Sequence, residues 1–335
     1  MIRLSARSRQ PQRTAWSNER LLHEHALALG HAIESSTAIT YTSHLQSYLS
    51  FCKLHHLPIT PTIDTFSFYV VYMCHHINPC LVATYLSGIC NNLEPYFPSV
   101  RTIRNNPLVI RSLTGMKKLK GGIPTHCRCA LNEEDLVYLV KIFSTGLYDD
   151  CLFLAILLTG FYGLMRIGKL TQSDAKPKQS LLKSTLHHSL KFSDHDFSFH
   201  LPYHKGDQLF DRNTIMIEAC PGALICAHSQ VTRYTTLRDA RFGLYLELWV
   251  TLGGDVPTYS WFISRLRKSL DNEVSGHSLR SGGATALALA GVNDDSIQAM
   301  GRWSSDTFRI YIRKHPVILH ALIHNKPAFG PTSPN

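Results

Sequence analysis

Six side chains in the second half of this sequence, Arg166, Lys205, His277, Arg280, Trp303 and Tyr311, combine cations, hydrogen-bond donors and a phenol in an order suited to handling an anion. His277 and Arg280 stand three apart in Gly276-His277-Ser278-Leu279-Arg280-Ser281-Gly282-Gly283-Ala284. At a helix start that spacing puts both on one face, where free N–H groups and the helix dipole already favour negative charge. The arrangement is a phosphate cradle. Small residues after it (Gly282, Gly283, Ala284, Ala286, Ala288, Ala290) allow close packing of the same helix. Arg166 follows directly on a long apolar segment that would present it rigidly, and Lys205 sits at a polar turn from which it can reach into a groove. The indole N–H of Trp303 donates without accepting, which suits a phosphate oxygen. Each residue alone has a plainer reading: a capping histidine with a surface arginine, an arginine snorkelling at a helix end, a solvated turn lysine, a core or surface aromatic.

The elements that must position these residues are mostly helical. Residues 19–34, 36–56, 62–76 and 107–119 read as helices, as does a segment with Val82, Tyr85, Leu86, Ile89 and Leu93 on one face, ended by Pro95 and Pro98. Together they predict an all-helical domain over residues 19–117. A basic arm precedes it (1–18), and a Lys-rich, Gly-Gly-Ile-Pro linker follows (118–130). In residues 131–335, Asn132 is the expected N-cap of a helix opening with Glu133, Glu134 and Asp135. The apolar run 151–165 reads as a buried helix, too short for the ~18 to 20 residues of a membrane span. Between residues 186 and 219 the period changes to two: Phe197, Phe199, Leu201 and Tyr203 alternate with polar residues, and Lys205-Gly206-Asp207 leads on to Thr214-Ile215-Met216-Ile217. That pattern predicts a small β-hairpin. Helices are expected again over residues 238–252, 258–270, 278–290, 295–300 and 305–314.

Composition narrows the partner. The chain has 335 residues and a formal net charge of +10. The excess is front-loaded: 13 Lys and Arg against 5 Asp and Glu (+8) in residues 1–130, and 21 against 19 (+2) in residues 131–335. The front cations cluster in Arg3, Arg7, Arg9, Arg13 and Arg20 and again in Arg101, Arg104, Arg111, Lys117, Lys118 and Lys120, which points to a polyanion such as nucleic acid. The plainer alternative is a solvated surface and a floppy tail. Residues 1–12 carry arginines with no apolar segment behind them, so no secretory signal or anchor is expected and the protein should stay inside the cell. Nine scattered cysteines, mostly among apolar neighbours, suit reduced thiols.

The order Arg166, Lys205, His277-x-x-Arg280, Trp303, Tyr311 resembles the tyrosine recombinase (phage integrase) superfamily. The segment 276–313 is especially similar to Cre-like recombinases, with tryptophan where many integrases have a second histidine. The runs Leu-Arg-Ser-Gly-Gly-Ala-Thr-Ala-Leu-Ala and Gly-Arg-Trp-Ser-Ser-Asp-Thr-Phe-Arg-Ile-Tyr resemble recombinases of eukaryotic DIRS-like or Crypton-type mobile elements. The resemblance implies a mainly α chain: a helical core-binding (SAM-like) bundle and a mixed catalytic domain with a small antiparallel sheet, forming a C-shaped clamp on DNA. It implies site-specific recombination or integration, a homo-tetramer on two double-stranded DNA duplexes, action in the nucleus, and no membrane, metal or ATP. Tyr311 would attack phosphorus to give a 3′-phosphotyrosyl bond and Lys205 would protonate the leaving 5′-oxygen. Arg166, Arg280, His277 and Trp303 would hold the non-bridging oxygens. Arg101, Arg104, Lys117, Lys118 and Lys120 are the expected backbone contacts.

One departure stands out. The family usually has a carboxylate three residues after its first arginine, and here the run is Arg166-Ile167-Gly168-Lys169. A lysine would repel the guanidinium that a carboxylate holds, so reduced activity is expected. Three alternatives follow: a catalytically impaired DNA-binding relic, a type IB topoisomerase-like nicking and closing enzyme, and metal binding through His126-Cys127-x-Cys129 or Cys220 and Cys226-x-His228, whose spacings match no paired structural zinc cluster.

Overall fold

The computed structural model describes residues 13–120, 130–201, 214–270, 273–303 and 308–309, apart from the side chains of residues 35 and 36. The chain divides into two compact units, residues 1–125 and 126–335.

The first unit is helical: α1 (Asn18–His31), α2 (Ser35–Leu54), α3 (Ile63–His76), α4 (Pro79–Leu93), α5 (Val100–Arg104) and α6 (Pro107–Lys120). Local chemistry sets several of its starts. Thr62 caps α3 in a reciprocal capping box with Thr65, and Asn78 caps α4 ahead of Pro79, whose missing N–H costs nothing at that position. Tyr48, with Phe66 and Tyr69 edge-on to it at 5.5 Å each, anchors a core completed by Val70, Val82, Ile89 and Val100. No residue of α1 is buried.

The second unit comprises α7 (Glu133–Phe143), α8 (Tyr148–Tyr162), β1 (Lys191–Phe192), β2 (Asp196–His200), β3 (Thr214–Glu218), α9 (Ala227–Phe242), α10 (Tyr259–Ser269), α11 (Gly276–Leu289) and α12 (Asp294–Gly301). Asn132 caps α7 as its sequence predicts, in a capping box with Asp135. Every residue of α8 from Cys151 to Phe161 is buried, because the helix is apolar on all faces and runs through the middle of the unit. It spans 148–162 rather than 151–165, since Gly163 and Leu164 turn the chain out of the helix. The sheet is antiparallel in the order β1-β2-β3, with Phe197 opposite Ile217 and Phe199 opposite Ile215 on the buried face. β1 adds a third strand that two residues could not announce, as did the single turn of α5.

The helix expected over residues 238–252 does not form. α9 starts eleven residues earlier and stops before Gly243, and buried side chains claim the backbone beyond it. The fully buried Arg238 donates to the carbonyls of Tyr245 and Glu247 (2.8 Å to the latter), and Tyr234 Oη donates to Leu248 O at 3.0 Å and accepts from Val250 N at 2.8 Å. Groups used in this way cannot join a helical ladder. Among the described residues no three His, Cys, Asp or Glu side chains cluster as metal ligands, and no helix is long and apolar enough to cross a membrane.

Candidate active site

α11 carries the two most closely spaced candidates. Ser275 caps it, accepting from His277 N at 3.3 Å, while Ser278 Oγ accepts from Ser275 N at 2.9 Å. His277 is therefore the exposed second residue of a well-formed helix start, and Arg280, one turn on, is buried. Two glycines fix the depth of this helix. A Cβ at Gly282 would overlap the Leu131 carbonyl oxygen, and one at Gly283 the Phe161 carbonyl oxygen, so the α11 backbone lies directly against that of α8 and the start of α7.

Arg280 is held from two sides. Its Nη2 donates to the Gly301 carbonyl at the end of α12, and its guanidinium lies 4.1 Å above the Trp303 ring. Trp303 is only 9% exposed, packs with Leu164, Ala284, Ile297 and Phe308, and rests on Gly301, where a Cβ would overlap its ring. The ring is thus a platform that orients Arg280 by cation–π contact.

Arg166 reaches the same place from α8. That helix ends in a Schellman motif: Met165 N donates to Gly160 O at 2.9 Å, Leu164 N to Phe161 O at 3.2 Å, and Leu164 takes the left-handed backbone (φ 48°). The motif reverses the chain so that Arg166 emerges exposed, just ahead of a 3₁₀ turn over Ile167–Lys169. Lys169 N donates to Arg166 O at 2.8 Å. Lys169, standing where the resembled recombinases usually have a carboxylate, thus closes a 3₁₀ turn whose N-cap is Arg166. Burial lowers the Lys169 pKa from its ordinary value, and the charges of Arg166 and Lys183 lower it further.

Arg166, Lys169, Arg280 and Arg302 all line one open depression floored by Leu164 and Met165, and among the described residues no carboxylate lines it. Four cations gathered at one depression make a receptor for an oxyanion. Sequence reasoning had passed over Arg302, although it lies inside the Gly301-Arg302-Trp303 run. His277 stands one turn before Arg280 on the same helix, whereas Lys205 and Tyr311 lie outside the described residues.

In the first unit, Arg101 forms an exposed ion pair with Glu94 (2.7 Å), which also raises its pKa, and Arg104 donates weakly to Ala83 O at 3.4 Å. Lys117 and Lys118 project from the last turn of α6, where cations also suit the helix dipole, and Lys120 Nζ lies 2.8 Å from His75 Nδ1.

No protein-family profile matches the sequence, and no curated protein is similar to it. Solved structures do match. The Tn1549 transposon integrase in complex with transposon right end DNA superposes with a TM-score of 0.59 at 14% identity, covering 91% of this chain and 98% of that one. The XerH site-specific recombinase in a post-cleavage complex with its difH substrate gives 0.55 at 13%, covering 86% and 78%. A lambda integrase tetramer bound to a Holliday junction gives 0.51 at 13%, covering 86% and 77%. Mainly helical, with a three-stranded antiparallel sheet beside the buried α8, the chain has the fold of the tyrosine recombinases and integrases.

Proposed function

We propose that this protein cleaves and rejoins double-stranded DNA as a tyrosine recombinase, for the recombination or integration of a eukaryotic mobile element. The observation that carries the reading is the convergence of Arg166 and Arg280 on one depression in a fold shared with recombinases. Arg166 and Arg280 grip the non-bridging oxygens of the scissile phosphate, and His277 adds a donor at the helix start. Trp303 keeps the Arg280 fork in register. Tyr311 Oη attacks phosphorus, the P–O5′ bond breaks, and Lys205 gives its proton to the departing oxygen, leaving a 3′-phosphotyrosyl bond and a free 5′-hydroxyl. The roles of Tyr311 and Lys205 rest on the sequence resemblance. Because the covalent bond conserves the phosphodiester energy, the cycle needs neither ATP nor a metal. Attack by a 5′-hydroxyl from another duplex completes strand exchange, in a homo-tetramer on two duplexes, within the nucleus. The basic first unit supplies backbone contacts that are salt-sensitive and independent of sequence.

The test is a nicked suicide duplex built from the element's own ends. A covalent protein–DNA adduct that disappears in Tyr311→Phe is the expected result, and DNA binding without any adduct refutes cleavage. A second reading, a DNA-binding relic of such an enzyme, is favoured by one observation: Lys169 beside Arg166 where relatives hold a carboxylate.

A further inference from the structure

We propose that Arg302 is a third phosphate-binding arginine, touching the same scissile phosphate as Arg166 and Arg280. The inference rests on the cleavage reading above and adds to it a residue that the recombinase pattern does not supply. Three features of Arg302 lead to it.

The first is position: Arg302 lines the same depression as Arg166 and Arg280, from the end of α12. The second is charge. Its side chain donates from Nη1 to the Gly163 carbonyl at 3.4 Å, and among the described residues no carboxylate pairs with it. Burial lowers its pKa, yet a guanidinium in a protein stays protonated, so Arg302 holds a partly desolvated positive charge faced by one distant carbonyl dipole. A charge kept in that state is unfavourable until an anion arrives to pair with it.

The third is backbone. α12 ends in a Schellman motif, with Trp303 N donating to Gln298 O at 3.1 Å and Arg302 N to Ala299 O at 3.0 Å. Residue 302 is its left-handed member (φ 55°, ψ 47°), a place that favours glycine because a Cβ crowds the carbonyl there. Conformational strain and a charge that no carboxylate among the described residues pairs with both cost the fold. Arg302 does contribute a planar fork to the depression that, on the cleavage reading, receives the phosphate oxygens as phosphorus becomes pentacoordinate.

The backbone supplies a clean probe, since Arg302→Gly relieves the strain while removing the fork. We expect Arg302→Gly to unfold no earlier than the wild type but to form the suicide-substrate adduct roughly 100-fold more slowly, as for loss of one preorganised transition-state donor. Arg302→Lys, which keeps the charge without the fork, should fall between. A second measurement needs no DNA: the thermal melting shift produced by inorganic phosphate against chloride at equal ionic strength. The wild type should gain stability in phosphate, and Arg302→Gly should lose that gain. A protein that forms no adduct, yet loses its phosphate shift on Arg302→Gly, refutes the cleavage reading and leaves the anion site standing. The role of Arg302 is overturned if Arg302→Gly keeps the adduct rate within about twofold or keeps the phosphate shift. A wild type with neither adduct nor shift overturns it equally.

Discussion

If the proposed cleavage reading holds, replacing Lys169 with glutamate should speed DNA cleavage. Residues 166 and 169 are joined by the 2.8 Å backbone hydrogen bond of a 3₁₀ turn, and both side chains line the same depression. Two like charges about 6 Å apart at an effective dielectric near 20 repel by roughly 3 kcal/mol, and an opposite pair attracts by as much. Arg166 is exposed, which screens both figures, and a partly buried glutamate pays its own desolvation. A net gain of about 1.4 to 2.7 kcal/mol in holding Arg166 against the phosphate remains reasonable. It corresponds to about 10- to 100-fold in rate, the range over which residues that orient a ligand-binding group usually act. The assay is the single-turnover rate of adduct formation on a nicked duplex, at protein concentrations that saturate the DNA. Lys169→Met removes the repulsion without adding the attraction and should give a smaller gain. A Glu variant that binds DNA normally and cleaves no faster than the wild type would refute the electrostatic account of this site.

Other consequences are measurable on the same protein. The Lys169 pKa lies below its unfolded value, so between the lowered value and 10.5 the unfolded chain binds more protons and stability rises with pH. Lys169→Met should therefore be more stable than the wild type at pH 7, by an amount that shrinks toward pH 10.5 in denaturant titrations. Gly301→Ala places a methyl group inside the Trp303 ring, and should cost about 1 to 3 kcal/mol by overpacking while displacing the platform beneath Arg280. Its adduct rate should fall further than its stability alone accounts for, and unchanged cleavage would count against the platform. Replacing Lys117, Lys118 and Lys120 together with alanine should lower the slope of log affinity for duplex DNA against log salt by roughly 2.7, if all three neutralise phosphates. An unchanged slope would assign them to the α6 dipole and to His75.

The elements legible in the sequence were those with a strong local signature. The capping of α7 by Asn132, and the alternation that places Phe197 and Phe199 inward, depend on neighbours in the chain and can be read there. The irregular path after α9 depends instead on Tyr234 and Arg238 reaching carbonyls seven to fourteen residues ahead, which no local pattern records. The site divides in the same way. The spacing of His277 and Arg280 marked a helix start, and the family resemblance marked Arg166. Arg302 carries no such mark, because its significance comes from a left-handed backbone and from its place in the depression. Trp303 was noticed for its N–H, whereas the structure shows what its face does.

The bare backbone contacts of α11 bear on how this protein can be altered. Gly282 and Gly283 seat the helix on the carbonyls of Leu131 and Phe161, so the position of Arg280 is indexed by main chain rather than by interdigitating side chains. Side-chain cores drift and repack when substituted, but a main-chain contact has no alternative rotamer to adopt. Laboratory evolution should therefore find the helical first unit open to stabilising or DNA-retargeting changes that leave cleavage chemistry untouched. These two glycines, by contrast, should reject every substitution offered to them.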